Sequence, residues 1–77
     1  MSEAQRIYDD RFGVGNPRSP EYKAGALYVL RRMAGEIPKA ECPHQIGTAQ
    51  ADAWLAGSWE GVDLWRNAQE SKGEHTV

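Results

Sequence analysis

The sequence predicts an all-α fold: an antiparallel two-helix hairpin, residues 20–34 and 48–69, with a short additional N-terminal helix beside it. Apolar residues recur at helical spacing in three segments, each segment begins at a capping residue, and no segment alternates apolar and polar residues as a strand does. A chain of 77 residues is long enough for one domain. We therefore expect residues 1–77 to form a single small helical domain.

The first helix is predicted from Ser2 to Phe12. Ser2 can cap it, and Gln5 completes a capping box, in which each side chain accepts from a free backbone N–H of the other residue. A helix of about ten residues is marginal by itself. It has to dock through its apolar residues, which are Ile7, Tyr8 and Phe12.

The second helix begins with a capping Ser19, Pro20 at the first helical position and Glu21 in the first turn. Gly35 ends it. At about 100° per residue, its apolar side chains share one face or border it. They are Tyr22, Ala26, Val29, Leu30 and Met33.

The third helix follows a loop, residues 36–47, from which Ile37 and Ile46 are expected to cover the core. Thr48 can cap it. Its predicted apolar arc contains Ala51, Trp54, Leu55, Trp59, Val62 and Trp65. The hairpin is expected to pack through four of these, namely Trp54, Leu55, Val62 and Trp65. Gly57 and Gly61, at the edge of the arc, predict a close backbone approach, and residues 71–77 are predicted to be a flexible tail.

Few sources of additional stability are available to so short a chain. Cys42 is the single cysteine, so no internal disulfide forms, and with His44 and His75 it supplies too few ligands for a closed zinc site. Packing, a second copy of the chain or a partner has to compensate. The chain has no stretch that could cross a membrane and no signal peptide, which predicts a cytoplasmic protein.

Charge is divided unevenly along the chain. Residues 1–40 carry seven Lys/Arg and five Asp/Glu, whereas residues 41–77 carry two and six, so the halves are +2 and −4. Nucleic-acid-binding modules are usually strongly basic. The net charge of −2 therefore argues against a purely electrostatic polyanion binder.

The candidate reactive motifs lack the partners that catalysis needs. Gly13-Val14-Gly15 has neither the preceding strand nor the later residues of a phosphate loop. Cys42-Pro43-His44 has no positive neighbourhood to lower the thiol pKa and no third group to orient the histidine. We expect no catalytic residue, no cofactor and no metal ion.

Two sets of side chains are candidates for binding. Trp59 is expected to be partly exposed and, with Asp52 and Asp63, to contact a partner protein. The alternative is RNA contact by an aromatic residue and three basic residues of the second helix. These are Tyr28, Arg31, Arg32 and Lys23.

The chain resembles the small bacterial proteins grouped around ribosome modulation factor, which include prophage-encoded and ciprofloxacin-resistance-type members. The resemblance rests on Cys42-Pro43-His44, Gly47-Thr48 and the segment 53–61, and it covers about residues 20–66. It implies a helical fold and binding to the RNA of the small ribosomal subunit, which pairs ribosomes into inactive dimers. His44 stands where the family has an aromatic residue, and Ser58 separates Gly57 from Trp59, which are adjacent in the family.

Three functions remain open, in this order. The first is a phage- or prophage-encoded protein that binds and modulates a host protein. The second is a translation modulator associated with the ribosome or its RNA. The third is an enzyme of the kind proposed for the resistance-type relatives, which modify a drug with ATP.

Overall fold

A computed structural model describes residues 2–73 of the chain. It contains three helices, α1 (Glu3–Phe12), α2 (Pro20–Met33) and α3 (Ala49–Gly73), and this part of the chain has no strand. The all-α prediction is confirmed. The third helix continues past the predicted end at residue 69, so residues 71–73 are helical and not part of a tail. Residues 74–77 lie outside the described residues.

Each helix begins at the hydroxyl that the sequence indicates. Ser2, Ser19 and Thr48 accept hydrogen bonds from backbone N–H groups three residues later, at 3.1, 3.2 and 3.1 Å. Each bond satisfies one of the N–H groups that a helix start leaves without an intrahelical partner. The reciprocal half of the capping box does not form, because the Gln5 side chain donates instead to Asp9, at 2.9 Å.

The second and third helices do not run in the predicted relative directions. Gly57 lies against the backbone of Tyr22 and Gly61 against that of Ala26, so the contacts advance together along α2 and α3. These two helices therefore run in the same direction, and the antiparallel hairpin predicted for them is wrong. The 15 residues of the connection 34–48 make the parallel arrangement of α2 and α3 possible. They can span ~50 Å, more than the ~21 Å that is needed to return along α2.

The short first helix is antiparallel to both of the others. Glu3, at its start, faces Gln69 near the end of α3, and Arg11, near its own end, faces Glu60. Its last residue, Phe12, meets the ring of Tyr22 at the start of α2, with 6.1 Å between ring centroids. The antiparallel hairpin of this fold is therefore formed by α1 and α2.

Glycines form the contact between α2 and α3. A Cβ atom on Gly57 would lie 1.9 Å from the carbonyl oxygen of Tyr22, and one on Gly61 would lie 2.7 Å from that of Ala26. On α2, a Cβ atom on Gly25 would lie 2.0 Å from the carbonyl oxygen of Trp54. The close approach predicted at Gly57 and Gly61 is confirmed, and Gly25 matches it from the other helix.

This glycine contact turns α3 away from the predicted orientation. Gly57 and Gly61 are buried in the middle of its packed face, not at the edge. The side chains of Leu55 and Trp59 are consequently 43% and 72% exposed. The prediction that Leu55 packs in the helix interface is wrong. The pattern of apolar side chains does not reveal a helix face whose contacts are made by backbone atoms.

The core lies where all three helices meet. Its buried centre is formed by Ala4, Ile7 and Leu30, and partly buried apolar residues surround it. They are Tyr8, Ala34, Leu64, Trp65 and Ala68. Phe12 and Trp54 are also buried, whereas Ile46 is 89% exposed and does not cover the core as predicted. Among residues 2–73, no helix is both long and apolar enough to cross a membrane.

Candidate docking site

The side of α3 that points away from the other helices forms one continuous exposed strip, here called the outward face. At 100° per residue its members fall within an arc of about 100°, opposite the buried positions 54, 57 and 61. They are Asp52, Leu55, Ala56, Trp59, Asp63, Arg66 and Glu70, all exposed. The structure thus brings Trp59, Asp52 and Asp63, predicted from the sequence as a set, onto one surface.

Trp59 lies in the middle of the outward face. The sequence placed Trp59 at the edge of the apolar face of α3 and predicted partial exposure, but its side chain is 72% exposed. The difference arises because α3 packs through its glycines, which places Trp59 on the side of the helix that faces away from the core. Leu55, one turn earlier, adds a second exposed apolar side chain. Large exposed apolar side chains that adjoin one another are typical of interaction surfaces.

Acidic side chains dominate the charge of the outward face. Asp52, Asp63 and Glu70 are exposed there with one basic residue, Arg66. None of these four forms an ion pair with another residue of the described chain. Their charges are therefore free to meet those of a binding partner.

The basic residues of the second helix form a looser group. Tyr28 is 41% exposed, and its ring stands edge-on to Trp54, with 6.3 Å between centroids. Arg32 is exposed and Arg31 half-buried, and helical geometry places both beside Tyr28. Lys23 lies about 140° around the helix from Tyr28. The structure therefore groups three of the four predicted RNA-contacting residues and separates Lys23 from the aromatic ring.

A polar cluster that sequence reasoning missed joins all three helices. The Glu60 carboxylate accepts a hydrogen bond from the Arg11 guanidinium and another from the Tyr22 hydroxyl, each at 2.5 Å. The guanidinium of Arg18 lies over the Tyr22 ring, 4.6 Å from its centroid. Glu60 is distant from both of its partners in the sequence, so no local pattern could have indicated the cluster.

The cluster has a clear electrostatic effect on the phenol. The hydrogen bond to Glu60 raises the pKa of Tyr22 above its usual range, and partial burial and the negative charge of Glu60 add to the shift. The raised pKa extends to higher pH the range in which the phenol is protonated and donates to Glu60. The cluster fixes the end of α1 and the start of α2 against the middle of α3.

The loop that carries Cys42 and His44 directs the thiol toward backbone. The Cys42 Sγ atom donates to the carbonyl oxygen of His44, at 3.7 Å, and not to the imidazole. Residues 2–73 enclose no pocket, and they contain no group of three or more side chains that could hold a metal ion. The exposed groups of side chains that the described surface presents are the outward face and the basic group of α2.

Comparisons with known proteins do not assign the chain. No family model, no curated protein and no solved structure matches it.

Proposed function

We propose that this chain is a non-enzymatic binding protein of phage or prophage type, which acts in the host cytoplasm by docking on a host protein and modulating it. The docking site is the outward face of α3. The observation that supports it most directly is the 72% exposure of Trp59 between free acidic side chains.

Burial of Trp59 would supply much of the binding free energy. A tryptophan buries ~150–250 Å² when it is enclosed, and tryptophan is enriched among the residues that dominate protein interfaces. Asp52 and Asp63 lie on either side of it along the helix. They would select a partner with basic groups around an apolar pocket and would speed association.

The outward face is also held rigid before binding. The helix that carries Trp59 is fixed by the backbone contact at Gly57 and by the two hydrogen bonds of Glu60. A rigid surface loses little conformational freedom when a partner binds. A short chain can therefore present a single tryptophan as an effective contact.

Affinity capture from a bacterial host lysate tests the proposal. The wild-type chain should retain one enriched protein in the presence of nuclease, and Trp59→Ala should abolish that retention. Ile46→Ala is the matched control, because it removes another exposed large apolar side chain outside the outward face. Retention that is unchanged by Trp59→Ala would exclude this face as the docking site.

A second candidate is a translation modulator that contacts ribosomal RNA, as the resemblance to the ribosome modulation factor group implies. The favouring observation is the exposed Tyr28 ring with Arg31 and Arg32 beside it, neither of them in an ion pair within the described residues. An aromatic ring can stack on a base while the guanidinium groups contact phosphates.

Co-sedimentation with ribosomes distinguishes this candidate from the first. RNA contact predicts binding that weakens steeply with salt and is lost on nuclease treatment. The double change Arg31→Ala with Arg32→Ala should reduce it, whereas Trp59→Ala should not. Binding that survives nuclease and depends on Trp59 would exclude the RNA role and support the first candidate.

A further inference from the structure

We infer that the free protein forms a homodimer through the outward face, with the two copies of α3 packed antiparallel about a two-fold axis at Trp59. This inference goes beyond docking on a host protein, and the two can hold or fail separately. It rests on three features of the described residues: an apolar stripe, a pair of opposite charges and a small core.

The apolar stripe has the spacing of a helix–helix contact. Leu55, Trp59 and Val62 stand at positions i, i+4 and i+7, as along one side of a coiled coil. The first two are exposed and Val62 is half-buried. Since α1 and α2 pack on the opposite side of α3, they leave Leu55 and Trp59 of the stripe exposed.

One acidic and one basic residue beside the stripe lie at equal distances from Trp59 along the helix. Asp52 lies seven residues before Trp59 and Arg66 seven residues after it, both exposed and both without an ion pair within the described residues. An antiparallel second copy centred on Trp59 brings Asp52 of each chain opposite Arg66 of the other. A parallel copy would instead bring like charges together.

The small size of the core favours a second copy of this chain as the partner that covers the outward face. Among the described residues, Leu30 is the largest side chain that is completely buried. A domain of this length buries only roughly 60–65% of the surface that its unfolded chain exposes, and small domains often compensate by association. Two-fold dimers are the commonest assemblies, and they use the same patch on both subunits, which this stripe satisfies.

Dimerisation would regulate docking. Trp59 would be buried between the copies, so a host protein that uses the outward face would compete with the second copy. Its apparent affinity would then fall as the concentration of the chain rises. Free protein would be held as a dimer until the partner displaces one subunit.

Sedimentation equilibrium of the full chain over a range of concentrations tests the inference. The wild type should approach twice the 8.6 kDa of one chain, and Trp59→Ala should remain at the mass of one chain. Asp52→Arg or Arg66→Asp alone should weaken association about tenfold, because the two-fold axis repeats each repulsion. The double variant Asp52→Arg with Arg66→Asp should restore it.

Glu36→Arg is the matched control, an acidic-to-basic change at an exposed position outside the face, and it should associate as the wild type does. Far-UV circular dichroism of every variant establishes that the helices are retained. A wild-type mass of one chain at all concentrations would overturn the dimer, and a double variant no tighter than the single ones would overturn the pairing of Asp52 with Arg66. Single variants that associate normally would overturn the antiparallel arrangement. A monomer that still captures a host protein through Trp59 would overturn the dimer alone.

Discussion

Replacing Gly57 with alanine tests how strongly backbone contact between α2 and α3 holds the fold. The added Cβ atom would lie 1.9 Å from the Tyr22 carbonyl oxygen and 2.7 Å from its carbonyl carbon. Ordinary van der Waals contact begins at 3.4 Å, so the helices have to separate locally by about 1.5 Å. Because the atoms of Tyr22 are backbone, no change of side-chain rotamer relieves the overlap.

Two opposing effects set the magnitude. In a helix interior, alanine is more favourable than glycine by ~1 kcal/mol. Overpacking of a close contact costs typically ~1–3 kcal/mol and occasionally more. Since a whole helix has to move here, we expect the upper part of that range and a net loss of about 2 kcal/mol in the free energy of unfolding. A chain of this length has a total of only ~4–11 kcal/mol.

Urea unfolding followed by far-UV circular dichroism measures the effect. Gly61→Ala provides a graded comparison, because its Cβ atom would lie 2.7 Å from the nearest backbone oxygen, and it should cost less than Gly57→Ala. Helix propensity by itself predicts that both variants are stabilised. A Gly57→Ala protein at least as stable as the wild type would refute the reasoning.

Three further predictions concern the polar cluster and the outward face. Glu60→Gln should lower the free energy of unfolding by ~1–2 kcal/mol, because the hydrogen bonds from Arg11 and Tyr22 lose their charged acceptor. Glu70→Gln, at an exposed position, is the control, and it should leave the free energy of unfolding in urea unchanged. The raised pKa of Tyr22 means that the folded state holds the phenol proton more tightly than the unfolded chain does. The resulting stability is complete below the unfolded pKa of about 10 and is lost as pH rises through the folded value. Tyr22→Phe should remove this alkaline loss from the pH dependence of unfolding, and an unchanged alkaline limb would contradict the assignment. Trp59→Ala should change the stability of the monomer by less than ~0.5 kcal/mol in thermal unfolding at low concentration, and a larger loss would mean that the indole is part of the core.

The starts of the helices could be read from the sequence because capping is local. Ser2, Ser19 and Thr48 each satisfy a backbone N–H three residues away, so both partners lie within one short window of the chain. The C-terminal end of α3 was harder to predict from the sequence. Polar residues after Gln69 resemble a tail, yet they continue the helix to Gly73.

The residues of the outward face were predicted only in part. Trp59, Asp52 and Asp63 fall on one face because helical periodicity fixes their relative angles. Arg66 also lies on that face and was not singled out, since a lone basic residue carries no pattern. The contact of Glu60 with Arg11 required the packed helices, because 49 residues separate the two in the chain.

The sequence by itself determined that the described residues form three helices, where these helices begin and that two glycines of the third permit close approach. The tertiary structure decided which way α3 faces and that it runs parallel to α2. The physical reason lies in the contact at Gly25, Gly57 and Gly61, where backbone packs on backbone. Such a contact leaves no apolar side chain for a hydrophobic pattern to detect, and it turns Leu55 and Trp59 outward, where a partner can reach them.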